Sequence, residues 1–204
     1  TTDAWCEKYG LTRMMTQEEL IEKSDVLLVL APRDPKKHEE LANLALRSGK
    51  RCYVDKTFAP DHFAAKRMLD LAEQSGTPCW SSSALRFAEE YQAADKTNIK
   101  GVNTWGPNGF EDYAIHQLEM IVSVMGPGVE SLIHTKSANA DHVVFRFGDG
   151  RRAAMTLHPK LGFSARILGR DDTVQISKLS SMFPNLIDAM LEFFRTGIPP
   201  IDRA

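Results

Sequence analysis

Between Thr16 and Lys56 the chain changes its hydrophobic period three times. The stretch TQEELIEKSDVLLVLAPRDPKKHEELANLALRSGKRCYVDK runs from helical spacing to a continuous apolar run, back to helical spacing, and to apolar again. That alternation constrains the fold more than any single residue does, because strand, helix and strand in succession make a parallel pair joined by a crossover. The run DVLLVLAP is short and uniformly apolar, as expected of a parallel strand covered on both faces. Asp34 and Pro35 supply an N-cap and a first-turn proline, Leu41, Leu44 and Ala45 recur at helical spacing, and Gly49 closes the helix. KRCYV is the next strand. A helix opening at Pro60 carries Ala65, Met68, Leu69 and Ala72 as its buried stripe and ends at Gly76, and PCWSSS is a third strand. Residues 1–83 therefore read as an α/β domain with a doubly wound parallel sheet.

From Ser83 onward the pattern differs. A helix-like RFAEEYQAAD precedes a strand-like GVNTW, then a helix over 112–125 ends at Gly126-Pro127-Gly128. Five alternating runs follow, VESLIHT, HVVFRFGDG, RRAAMTLH, SARILG and DTVQIS, with Gly148-Asp149-Gly150 joining two of them as a hairpin. A last helix over 181–194 leads into Gly197-Ile198-Pro199-Pro200. Residues 84–204 read as an α+β domain with an open antiparallel sheet.

Charge narrows the partners. With 25 Lys+Arg against 27 Asp+Glu, a formal net charge of -2 offers no basic face for nucleic acid or an anionic membrane, so a small molecule or another protein is expected. The longest apolar runs, such as VLLVLA, fall far below the roughly 20 residues of a membrane span. Cys6, Cys52 and Cys79 are odd in number and widely spaced, and read as reduced thiols of a cytoplasmic protein. No His/Cys cluster points to a metal.

Two stretches carry groups suited to chemistry. Ligands of parallel sheets bind beyond the carboxyl ends of the strands, and Lys56 stands at such an end, where an ammonium orients a substrate oxygen and stabilises charge on it. The plainer alternative is that Asp55 and Lys56 are a solvated strand end. The second stretch is DYAIHQLEMIVSVMG. At about 100° per residue, Asp112, His116, Glu119 and Ser123 share one narrow sector, and only Gln117 interrupts an otherwise apolar remainder. A helix so apolar is buried, so its polar stripe is either matched by polar partners or lines a cleft. His116 is the group there that exchanges a proton near neutral pH, and Asp112, one turn earlier, is placed to orient it. A structural hydrogen-bond network accounts for the same pattern equally well. His38, His134 and His158 lie in no comparable pattern and read as structural or exposed.

In succession these segments resemble the glucose-fructose oxidoreductase / inositol dehydrogenase family, Gfo/Idh/MocA. That family joins a Rossmann domain to an α+β domain. Its strand ending in Pro, its strand ending in Glu-Lys-Pro, its strand before the second domain and its Asp-x-x-x-His helix are similar to DVLLVLAP, RCYVDKT, CWSSSALRF and GFEDYAIHQLE; its helix-Gly-x-Pro-Pro ending is similar to FFRTGIPP. The resemblance covers nearly the whole chain. It implies hydride transfer between a nicotinamide, NAD or NADP, and a carbinol carbon of a sugar, inositol or related polyol. By it, Lys56, Asp112 and His116 fall on catalytic positions: His116 removes the hydroxyl proton, Lys56 holds the oxygen, and Asp112 orients the histidine or a substrate hydroxyl. Ala31, Pro32 and Lys56 border the cofactor, and the loop over 105–110 meets the substrate.

Asp55 stands where the family has Glu, and Thr57 where it has Pro. A cis bond before a residue other than proline costs about 2.5 to 4 kcal/mol, so a trans Lys56-Thr57 peptide is expected. The family's glycine-rich turn, which receives the pyrophosphate, falls by this reading before Thr1. The same resemblance implies two alternatives, a non-catalytic relative that binds dinucleotide or sugar, and an enzyme that uses the nicotinamide transiently to cleave a glycoside. An open sheet leaves one face bare, on which Val143, Phe145 and Phe147 alternate; a homodimer or higher homo-oligomer like the family's would bury that face against the twin, and cover by the C-terminal helix of the same chain is the alternative.

Overall fold

The computed structural model describes residues 1–31 and 34–201. The chain divides into two units, Thr1–Ser81 together with Glu192–Ile201, and a second that runs over Ser82–Leu191.

The first unit begins with helices α1 (Thr2–Tyr9) and α2 (Gln17–Lys23). Thr16 caps α2 by accepting the Glu19 N–H at 3.1 Å, and the Glu19 carboxylate reaches back to the Met15 N–H, a capping box built from Thr-x-x-Glu. Strand β1 (Val26–Val29) follows, then Asp34 caps a 3₁₀ turn, Pro35–Lys37, that runs into α3 (His38–Leu46). After β2 (Arg51–Val54), Asp61 rather than Pro60 opens α4 (His62–Gln74), its carboxylate accepting the Ala64 N–H at 2.8 Å. Strand β3 (Cys79–Trp80) completes a parallel sheet in the order β1-β2-β3. Leu27, Ala42, Leu46, Cys52, Val54, Met68, Ala72 and Cys79 form its core. The two cysteines face each other across the β2/β3 register, and burial, with the neighbouring Cys79, pushes the Cys52 thiol up to about 12. Residues 192–201 join this unit through Arg51, whose guanidinium donates to the carbonyls of Phe194 and Arg195, and through the edge contact of Trp80 with Phe193.

The second unit opens with a 3₁₀ turn, Ala84–Phe87, and α5 (Glu89–Gln92), where the sequence suggested one longer helix. Ala88, extended between them, breaks it. Then come β4 (Gly101–Gly106), α6 (Phe110–Met125), β5 (Val129–Lys136), β6 (Asp141–Phe147), β7 (Arg152–Leu157), β8 (Ser164–Leu168) and β9 (Thr173–Ile176), and α7 (Met182–Thr196) closes the chain. The six strands run in the order β5-β6-β7-β4-β8-β9. The sheet is mixed, not purely antiparallel: β4 lies parallel to β7, and the other pairs are antiparallel. Helix α6 carries the chain back after β4, so the meander that follows returns its third strand alongside β4 in the same direction.

The face expected to bury a second copy is already covered. Val143, Phe145 and Phe147 are 2–4% exposed and pack with Met120, Ile121 and Met125 of α6 in one core. Period-two alternation finds the apolar face of β6 correctly; the cover comes from α6, which the same chain supplies just before the meander. The opposite face, with Val144 47% and Ile133 68% exposed, is the bare one. No described helix is long and apolar enough to cross a membrane.

Candidate active site

In the first unit, the register pairs Val29 with Val54, and the Asp55 N–H donates to the Val29 carbonyl at 3.0 Å as the ladder ends. Ala31 and Lys56 thus stand two residues beyond their strands on the same carboxyl-terminal edge, both half-buried. That is the edge at which parallel sheets bind ligands. Pro32 lies outside the described residues. The Lys56–Thr57 peptide is cis, against the trans bond expected from the sequence.

In the second unit the polar stripe of α6 is held from one side. Glu111 and Asp112 sit in the first turn, where carboxylates complement the helix dipole, and Asp112 is exposed. His116 comes one turn later, with Nδ1 2.7 Å from Ser83 Oγ. Its ring meets Tyr113 and Phe163 edge-on, with centroids 5.3 and 5.5 Å away. Glu119 accepts from Arg86 at 2.6 Å and from the Ser82 hydroxyl at 3.2 Å, a pair whose side chains are 16–17% exposed. Ser123 donates to Tyr91 and to the Met120 carbonyl. The segment after β3, not solvent, therefore matches most of the stripe: Ser83, Ser82, Arg86 and Tyr91 each meet one of its members in turn.

Two elements of the candidate site escaped sequence reasoning. Ser83, 1% exposed, belongs to the Ser-Ser-Ser run whose only local signal is its place after an apolar strand. Gln117, the residue that interrupts the apolar remainder, is fully buried: Thr104 donates to its carbonyl oxygen at 2.7 Å and its amide donates to the Thr156 carbonyl at 3.1 Å. It fixes α6 across β4 and β7, and with it the direction in which His116 points. Gly106 makes room for that amide, since a Cβ there would lie 2.6 Å from Gln117 Nε2. Among the described residues, no group of three or more His, Cys, Asp or Glu is placed to hold a metal ion.

No family model matches the chain, and no curated protein matches it by sequence. Solved structures do match. A probable dehydrogenase from Thermotoga maritima superposes with a TM-score of 0.83 at 16% identity over 97% of this chain and 79% of its own. Myo-inositol 2-dehydrogenase from Lactobacillus plantarum gives 0.82 at 14% identity over 98% and 80%. The chain shares with these two proteins a Rossmann-like α/β fold followed by a sheet-bearing second unit. GenD2 from gentamicin A biosynthesis, solved in complex with NAD, gives 0.71 at 16% identity over 83% of this chain and 60% of its own. At these identities the likeness is one of fold, and it extends over both units.

Proposed function

We propose that the chain is an NAD- or NADP-dependent oxidoreductase acting on a CH–OH group of a sugar, inositol or related polyol. The observation that carries this reading is the likeness in fold, along 97–98% of the chain, to a dehydrogenase and an inositol dehydrogenase. A further neighbour was solved with NAD.

The candidate residues are Lys56 of the first unit and Asp112 and His116 of the second. A nicotinamide, when bound, accepts the hydride from the carbinol carbon. The ammonium of Lys56, at a strand end of the parallel sheet, suits holding the substrate oxygen, and Ala31 on the same edge suits bordering the cofactor. Asp112, exposed on the first turn of α6, suits a substrate hydroxyl, while His116 suits contact with the reacting oxygen. We place the enzyme in the cytoplasm as a homo-oligomer, with the bare sheet face around Ile133 and Val144 against the second copy.

Titration with NADH and NADPH, followed by nicotinamide fluorescence, tests the proposal. Saturable binding, and NADH formation with a polyol that His116→Ala abolishes, is the expected result. Absence of binding at millimolar cofactor would discard it, and glycoside cleavage without net NADH would replace it.

A further inference from the structure

The contact between Ser83 and His116 determines which ring nitrogen carries the proton. Ser83 is 1% exposed, so water does not complete its hydrogen bonds. Its oxygen already accepts the Leu85 N–H at 3.2 Å, as the cap of the following turn. Its own proton needs an acceptor, and the one in reach among the described residues is His116 Nδ1 at 2.7 Å. Were Nδ1 to carry the proton and donate to Ser83, the serine hydroxyl would be left buried with nothing to receive it.

We infer that Ser83 is a positioning residue that holds neutral His116 as the tautomer protonated at Nε2. A ring in this state has no lone pair at Nε2. It meets a substrate oxygen as a hydrogen-bond donor, the electrophilic role that a neutral imidazole plays when its proton is fixed in place. The consequence, which rests on the oxidoreductase reading, is that neutral His116 polarises the reacting oxygen as a donor at Nε2; as the hydride leaves the carbinol carbon for the nicotinamide, the hydroxyl proton passes to water. Gln117 and the flanking rings of Tyr113 and Phe163 support the same orientation, since they fix the helix and the ring edges respectively.

The test is a long-range proton–nitrogen correlation spectrum of the full chain, uniformly labelled with nitrogen-15, at about pH 8, where an ordinary imidazole is neutral. His116→Gln assigns the signal by its loss. The expected pattern is a protonated Nε2 and a bare Nδ1, becoming a mixture of tautomers in Ser83→Ala. A protonated Nδ1 in the unmutated chain overturns the inference, and so does an unchanged pattern in Ser83→Ala. The unmutated spectrum answers the question even if that variant fails to fold. Nicotinamide titration of the same sample separates the two readings: the expected tautomer without cofactor binding leaves Ser83 as the positioning residue and removes the dehydrogenase.

Discussion

The two sheets of this molecule use similar apolar residues and cover them differently. Strand β6 alternates strictly, with Val143, Phe145 and Phe147 buried while His142, Val144 and Arg146 are exposed, as a sheet with one helix-covered face requires. Strand β1 is apolar throughout, yet Leu28 is 48% exposed and Leu30, just beyond it, 69%. The continuous run predicts cover on both faces; β1 is the edge of its sheet, and within the chain it receives only part of that cover. Period two thus reports how a strand is packed more faithfully than total hydrophobicity does.

The largest effect should come from the alternating strand. Phe147→Ala removes a side chain 2% exposed from the core against α6, and is expected to cost about 3–5 kcal/mol in chemical denaturation. A cost under about 1 kcal/mol would mean that the core between α6 and the sheet is loosely packed, and would erase the contrast between the sheets.

Next is the joint of helix and sheet. Gly106→Ala places a methyl 2.6 Å from the Gln117 amide and 2.9 Å from the Phe163 ring, so one of them must shift. An overpacking cost of about 1–3 kcal/mol is expected. Because Gln117 and Phe163 both bear on His116, the substitution should also change the His116 signals in the nitrogen spectrum. Unchanged signals would show that the histidine is held by Ser83 alone.

These positions show what could be read in advance. The element order, the Gly148-Asp149-Gly150 hairpin and the α6 helix were legible because each is written in local spacing. The stripe of Asp112, His116, Glu119 and Ser123 was legible as a stripe, but its partners were not, since Ser82, Ser83, Arg86 and Tyr91 lie more than thirty residues from the groups they meet. The same distance hid Ser83: the sequence suggests a general base at His116, whereas the inference of a donor at Nε2 rests on a hydroxyl that a different segment supplies. The parallel pairing of β4 with β7 was hidden too, because alternation fixes which face a strand buries and says nothing of its direction.

The first sheet makes its own prediction through Cys52. Its thiol is raised from an ordinary 9.0 to about 12, chiefly by burial. The neutral thiol is thus favoured in the folded state, so its contribution is fully present below about pH 9 and declines as the pH rises from there toward 12. By pH 10 the folded chain should lose about 1 kcal/mol through this group, and the part of the pH dependence that Cys52→Ala removes measures it. Near neutral pH a thiol reagent should modify Cys6, which is half-exposed, well before Cys52 and Cys79, which are buried. Equal rates for all three would mean that the parallel sheet opens readily, sharpening its difference from the second.

The smallest expected effect is also the most discriminating. Leu28→Thr keeps strand propensity and removes a side chain already about half in water, beside the apolar groove lined by Leu20, Ile21 and Leu41. It should cost less than about 1 kcal/mol, against several for Phe147→Ala. A cost as large as that of Phe147 would show that the outer face of β1 is covered in solution. If that cost grew with protein concentration, the cover would be a second copy of the chain, since only an association equilibrium makes stability depend on concentration. Such a result would move the proposed assembly surface from the bare face of the six-stranded sheet to the edge of the three-stranded one.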